Sequence, residues 1–190
     1  HVKKSELYDI LESIQEFSHP KSNLEQYPTD AITAADLLFS INAEMGDSLA
    51  EKIIIDLGAG TGRLSIGSLI LGAKHAFAVE IDEETINELK SNAETFELEN
   101  DLTIIQGNIE GTEIITTIQN TIKDKMNIDC YSKKDVMVIM NPPFGFVKKG
   151  IDIRFLEVAM GLSSVVYSIH AAGEKNRNYI KSKVEKFGGK

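Results

Sequence analysis

Two short stretches of this chain combine residue types at spacings that could do chemistry. Asp56-Leu57-Gly58-Ala59-Gly60-Thr61-Gly62 sets three glycines at alternate positions behind an acid, directly after the β-branched run Ile53-Ile54-Ile55. Glycines at such a turn let the backbone approach a ligand and take up positive φ, and the helix that follows points its first N–H groups the same way. The second stretch, Asn141-Pro142-Pro143-Phe144, follows the apolar run Val136-Met137-Val138-Ile139-Met140. Pro142 forces Asn141 into an extended conformation, and both prolines fix their own φ and lack N–H donors. The result is a stiff turn that offers two acceptors, the Asn141 side-chain oxygen and the Pro142 carbonyl, beside the flat face of Phe144. A planar conjugated amine fits it, its N–H protons on the acceptors and its ring stacked on Phe144. Those bonds favour a pyramidal nitrogen and stabilise the charge that develops as it attacks an electrophilic carbon. Alignment then supplies most of the rate.

The elements that must position these stretches read as an alternation of strands and helices. Continuous apolar strands are expected at Ile53–Ile55, Ala76–Val79, Leu102–Gln106, Val136–Met140 and Ser164–Ile169. Helices are expected after the glycine turn to Gly72, over Glu83–Phe96, over about Ile153–Met160 and over Glu174–Phe187. The stretch from Asn108 to Lys134 is long and weakly patterned. Strands without polar alternation, joined through helices, make a doubly wound, mainly parallel, Rossmann-like α/β sheet. Two amphipathic helices lead it. The first runs from Ser5 to Phe17 with Leu7, Ile10, Leu11, Ile14 and Phe17 on one stripe; the second is capped by Thr29 or Asp30, carries Ile32, Ala35, Leu38 and Phe39, and closes at Gly46. Residues 1–190 are read as one domain, a helical appendage over 1–50 and a core over 51–190.

In such sheets ligands bind at the carboxyl ends of the strands, near the switch point. The glycine spacing decides between ligands. A nicotinamide fingerprint wants G-x-G-x-x-G, but Arg63 stands where its third glycine belongs. The observed G-x-G-x-G behind an acid is the form taken by S-adenosylmethionine-dependent methyltransferases, where Asp56 suits a cationic amino-acid group. Glu80, at the end of the next strand, can accept from both ribose hydroxyls. Asp82 reads as a helix cap.

Taken together, the two stretches resemble the class I amino-methyltransferases. The wider text, with Leu24-Glu25-Gln26-Tyr27-Pro28-Thr29, Leu64-Ser65-Ile66-Gly67, Asn92-Ala93-Glu94, Asn141-Pro142-Pro143-Phe144-Gly145, Lys149-Gly150-Ile151-Asp152 and Val166-Tyr167-Ser168-Ile169-His170, resembles the methyltransferase-like five family over nearly its whole length. That family methylates N6 of an adenosine in small-subunit ribosomal RNA. The resemblance implies S-adenosyl-L-methionine as cofactor, covered by Gln26 and Thr29 and bound by Asp56, Gly58, Gly60, Gly62, Glu80 and Asn108. It implies that Asn141, Pro142, Pro143 and Phe144 hold the adenine. It also implies a small zinc-containing activator protein that adds a strand at the edge strand Leu102–Gln106. Tyr27 reads either as a stacking partner for the target base or as a core plug; Lys148 and Lys149 are placed to meet RNA phosphate. Glu80 and Asn108 stand where the family pattern usually has Asp. The family continues into an antiparallel strand pair, which the chain, stopping at Gly188-Gly189-Lys190, is expected to lack.

Composition narrows the field. One cysteine, Cys130, excludes a disulfide framework and a Cys-rich zinc site, and His19, His75 and His170 stand without a second ligand at metal spacing. No apolar run approaches the roughly 20 residues of a membrane span, and nothing behind His1-Val2-Lys3-Lys4 resembles a leader, so a cytoplasmic chain, or a nuclear one, is expected. The net charge of −9 divides into −14 before Lys148 and +5 from there on, which argues against non-specific coating of nucleic acid but suits one docked phosphate backbone. Other planar NH2 groups fit the same turn, so a glutamine-amide protein methyltransferase, a guanine-N2 RNA methyltransferase and a non-catalytic donor-binding scaffold stand as competitors.

Overall fold

The computed structural model describes residues 2–43, 48–172 and 176–183, and side chains as far as Ile169. In chain order the elements are α1 (Lys4–Glu12), a 3₁₀ turn (Ser22–Leu24), α2 (Ala31–Ala43), β1 (Ile53–Leu57), α3 (Arg63–Ile70), β2 (His75–Glu80), α4 (Glu83–Thr95), β3 (Leu102–Gln106), α5 (Ile114–Met126), β4 (Val136–Met140), α6 (Ile151–Leu162), β5 (Val165–Ala172) and β6 (Asn176–Lys183). The sheet order is β3-β2-β1-β4-β5-β6, with the first five strands parallel and β6 antiparallel to β5. The chain winds outward from β1 to β3, returns to β4 on the other side, and so makes its switch point between β1 and β4.

β1, β2 and β4 are buried along their whole length because helices cover both sheet faces. Strand alternation sends Ile54, Ala76, Ala78, Met137, Ile139 and Tyr167 to one face, against α1, α2, α3 and α4. It sends Ile55, Leu57, Phe77, Val79, Val138 and Met140 to the other, against α5 and α6. The two leading helices are thus packed into the core: Leu7, Leu11, Leu37 and Leu38 are fully buried.

Several elements differ from the sequence reading, each for a local reason. α1 stops at Glu12, with Ser13 as its C-cap, because the chain from there turns to run along α4; Ile14 stays in the core without being helical. Asp30, not Thr29, caps α2, its Oδ1 accepting from the Thr33 N–H at 2.7 Å. Ile32 on that helix is 60 % exposed rather than packed. Asp82 caps α4 as expected, accepting from the Thr85 N–H at 3.1 Å. The weakly patterned stretch contains α5, whose buried stripe is only Ile114, Ile118 and Ile122. Its β-branched and polar residues lower the local helix signal, and packing on the sheet forms the helix regardless. Asn127, at φ 53°, ends it.

Within the helix expected over Glu174–Phe187, Asn176–Lys183 form the strand β6 instead. Eight residues of β5 offer a free backbone ladder there, and pairing to it outcompetes a weak local helix pattern. One antiparallel strand therefore lies within the chain, where the sequence reading set the antiparallel pair beyond it. Gly46 and the side chain of His170 fall outside the described residues.

Leu38 packs on α3 close enough that a Cβ on Gly67 would lie 2.5 Å from its Cδ1. Leu38→Ala is expected to cost about 2–5 kcal/mol of stability, measured by urea unfolding.

Candidate active site

The carboxyl ends of β1, β2 and β4, the turn after β3 and the segment from Glu16 to Thr29 enclose a cleft of about 1120 Å³ including its open mouth. Its floor is the glycine turn. Gly58, Gly60 and Gly62 all have positive φ, at 69°, 58° and 103°. A Cβ on Gly62 would lie 2.4 Å from Leu89 Cδ1, and one on Gly60 3.2 Å from the Phe17 ring, so side chains are excluded by space as well as by conformation.

Two buried carboxylates face this floor. Asp56, buried, accepts from Ser65 Oγ at 2.6 Å. Burial pushes its carboxyl up to about 7, against the pull of the Ser65 bond. Glu80 accepts from the Gly60 N–H at 2.9 Å and from the Ile81 and Asp82 N–H groups at 3.0 Å each. Burial raises its pKa too, partly offset by those bonds. Glu80 thus clamps the glycine turn, with one lone pair, on Oε1, left over for a ligand. A buried carboxylate without a cation beside a side-chain-free cradle is what a cationic amino acid attached to a nucleoside requires, so Asp56, the glycines and Glu80 fit S-adenosyl-L-methionine.

The segment 13–30 forms the opposite wall and is strapped down at many points. Asn92 donates to Thr61 O at 2.8 Å and Gln15 O at 3.0 Å. Glu88 takes the Ser18 N–H at 2.9 Å, Glu84 pairs with His19, and Lys21 pairs with Asp82. The bonds from Lys21 and Thr85 hold Asp82 at about 2 although burial pushes it up. Gln26 is buried, its Oε1 taking the Lys21 N–H at 2.9 Å and its Nε2 donating to Thr85 Oγ1 at 3.2 Å. Arg63, buried at the start of α3, donates to Leu11 O at 2.9 Å and Thr29 O at 2.7 Å and pairs with Glu16.

Thr29 also meets the second stretch. Its Oγ1 accepts from Asn141 Nδ2 at 2.8 Å. With the NH2 end of the amide committed there, Asn141 Oδ1 is the end left to act as an acceptor. Asn141 and Pro143 line the cleft and Pro142 is buried. Tyr27, 54 % exposed, is no core plug: its ring lies nearly parallel to Phe144, with centroids 6.4 Å apart and planes at 16°.

Three expected residues stand differently. Asn108 lines the cleft, but its Oδ1 is taken by the Glu110 N–H at 2.9 Å in a local turn. Lys148 is paired with Glu110 and not free. Lys149 is exposed beyond the cleft. Sequence reasoning missed four residues that shape the site. Arg63 was noticed only for not being glycine, although a cation opening a helix of buried residues signals internal partners. Asn92 likewise sits on an apolar stripe. Buried Glu25 accepts from the Phe146 and Val147 N–H groups at 3.3 Å each, and Arg154 donates to Ile109 O and Gly111 O at 2.9 and 3.2 Å; neither left a trace in spacing. His75 bonds Thr103 Oγ1 at 2.7 Å within the sheet, a structural role. Among the described residues there is no cluster of three or more His, Cys, Asp or Glu able to hold a metal, and no helix is long and apolar enough to cross a membrane.

Comparison with known proteins gives this geometry relatives. Residues 37–137 match the family model for ribosomal protein L11 methyltransferase (PrmA); the chain belongs with that group over this stretch, and the match ends before Asn141. Longer matches extend past that point. The rRNA N(6)-adenosine-methyltransferase METTL5 of Danio rerio is 35 % identical over 184 residues, 96 % of this chain and 80 % of that protein. Its Drosophila melanogaster counterpart is 32 % identical over 191 residues, 100 % of this chain and 81 % of its own. The crystal structure of PH1948, a candidate RNA methyltransferase from Pyrococcus horikoshii, is 36 % identical, with a TM-score of 0.73 over 92 % of this chain and 76 % of that one. The chain belongs to the METTL5 family. METTL5 proteins are class I methyltransferases whose donor is S-adenosyl-L-methionine.

If Asp56, whose carboxyl burial pushes up to about 7, is the partner of the donor's ammonium, donor affinity should rise as pH goes from 6 to 7.5. Calorimetry checks it, and Asp56→Asn should weaken binding and flatten the pH dependence. The carboxyl's folded pKa lies above its unfolded value. Its contribution to stability is therefore fully present below about pH 4 and lost as pH rises through about 7.

Proposed function

We propose that this METTL5-family chain transfers a methyl group to N6 of an adenosine in ribosomal RNA, that of the small subunit. The observation that carries the reading is the Thr29–Asn141 hydrogen bond, which commits the asparagine's NH2 end and leaves Oδ1 as its acceptor, on a residue that lines a cleft whose floor fits the methyl donor. When bound, S-adenosyl-L-methionine supplies an electrophilic methyl group, held by Asp56, Glu80 and the glycine turn, with Gln26 and Asn108 at the cleft's edges. The chain's own part is to bind and orient the acceptor. Asn141 Oδ1 and the Pro142 carbonyl accept hydrogen bonds from the N6 amine, which confines it and favours its pyramidal form. Phe144 and Tyr27 offer flat faces to the adenine. The proton left on N6 after transfer is acidic enough to leave to water. An adenine in a duplex cannot reach this turn, so the substrate is single-stranded or extruded at the target.

Strand β3 ends the sheet, which supports addition of a strand from a small zinc-containing activator along Leu102–Gln106. The chain would then work wherever small-subunit RNA is assembled, in the cytoplasm or, in a eukaryote, the nucleus. Lys149 and the basic C-terminal stretch suit its phosphates.

Asn141→Ala should lower kcat on the order of 10²–10³-fold with donor affinity little changed, read with labelled donor and small-subunit rRNA. Label that persists on protein after ribonuclease would favour the amide reading instead. Thr29→Val should lower kcat about 2- to 10-fold, and Thr29→Ser should restore it.

A further inference from the structure

The loop after the Asn-Pro-Pro-Phe turn exposes a ring that nothing above uses. Phe146 is 80 % exposed, a rare position for a phenylalanine whose backbone is held on both sides. Its own N–H and that of Val147 are bonded to the buried Glu25 carboxylate, at 3.3 Å each. Gly145 before it turns at φ 85°, where a Cβ would sit 3.0 Å from Asp152 Oδ1. The ring is therefore presented by a built support, from the same segment that carries Tyr27 and Thr29. It stands edge-on to Phe144, with centroids 5.6 Å apart and planes at 62°.

We propose that Phe146 is a second stacking platform, which binds the nucleobase next to the target adenosine. This deepens the adenosine reading and rests on it. A base adjacent to one held on Phe144 lies within one nucleotide of it, and the Phe146 ring is at that range. The 62° between the rings keeps two bases so bound from stacking on each other. Isolating one adenine from its neighbour is the step that catalysis on a base requires. The platform is continuous with the adenine-holding turn and is followed, after exposed Val147, by exposed Lys149, a cation placed for a phosphate, so its occupant is single-stranded RNA and not an apolar protein surface. Aromatic stacking is tolerant of base identity, so Phe146 contributes affinity and register more than sequence choice. Glu25 acts as a positioning residue, fixing the loop through its backbone.

The test uses single-stranded 13-mers tiling small-subunit rRNA, with the best-methylated one remade with an abasic site on either side of the target. Phe146→Ala should raise KM for the intact oligomer about 5- to 150-fold, mainly in KM rather than kcat, with donor affinity unchanged; Phe146→Trp should keep KM near wild type. One of the two abasic oligomers should impose a similar penalty on the wild type and no further penalty on Phe146→Ala. If the two losses multiply at both neighbours, or KM does not move, the platform is overturned while the methylation reading stands. If the wild type labels none of the oligomers nor intact small-subunit rRNA, the adenosine reading falls and takes the platform with it.

Discussion

The guanidinium of Arg63 holds this site together. It sits where the glycine turn becomes α3 and reaches the end of α1, the carboxylate of Glu16 and the carbonyl of Thr29 in one span. A buried arginine is costly unless its donors are used, and here they are spent joining the floor of the cleft to its opposite wall. Thr29 passes the constraint on to Asn141 through its hydroxyl. The glycine turn and the Asn-Pro-Pro-Phe turn are thus linked through one side chain and the threonine it holds.

The carboxylates near that link show the opposite economy. Asp56, Glu80 and Glu25 are all buried, yet only the last two have their charge met by several backbone N–H groups. Asp56 has only Ser65, through its hydroxyl and its backbone, and burial raises its pKa. A fold optimised for stability alone would place an amide or an apolar residue there. Keeping an under-solvated acid at the end of a central strand makes sense as electrostatic preparation for a cation, and the unliganded protein bears its desolvation.

Much of the fold was readable in the text of the chain because the parallel strands are buried on both faces and therefore lack polar interruptions. β3 and β4 fall where their apolar runs place them. α5 was overlooked although Ile114, Ile118 and Ile122 recur every four residues on one face, because its threonines and β-branched residues are poor helix formers and mask that period. β6 was hidden because strand pairing depends on a neighbour's free edge, which no local pattern records. Of the site, the glycines, Glu80 and the Asn-Pro-Pro-Phe turn could be found, since backbone stiffness and glycine spacing are local properties. The bonds that aim them could not, as Thr29 with Asn141 and Glu25 with Phe146 are pairings of distant segments. Lys148 shows the converse: a cation at the right place in the sequence whose charge is already answered by Glu110.

Those distant pairings bear on how the molecule is made. Thr29 and Asn141 are 112 positions apart, and Glu25 and Phe146 are 121 apart. A ribosome delivers the first member of each pair long before the second, so the N-terminal wall must wait, unanchored on that side, until β4 has been synthesised. Contacts of such long range are also entropically expensive to close. The complete cleft is consequently among the last features a nascent chain acquires, and a shortened chain that ends before β4 would lack the Asn-Pro-Pro-Phe turn and both anchors of the N-terminal wall to it, however well its glycine turn had formed.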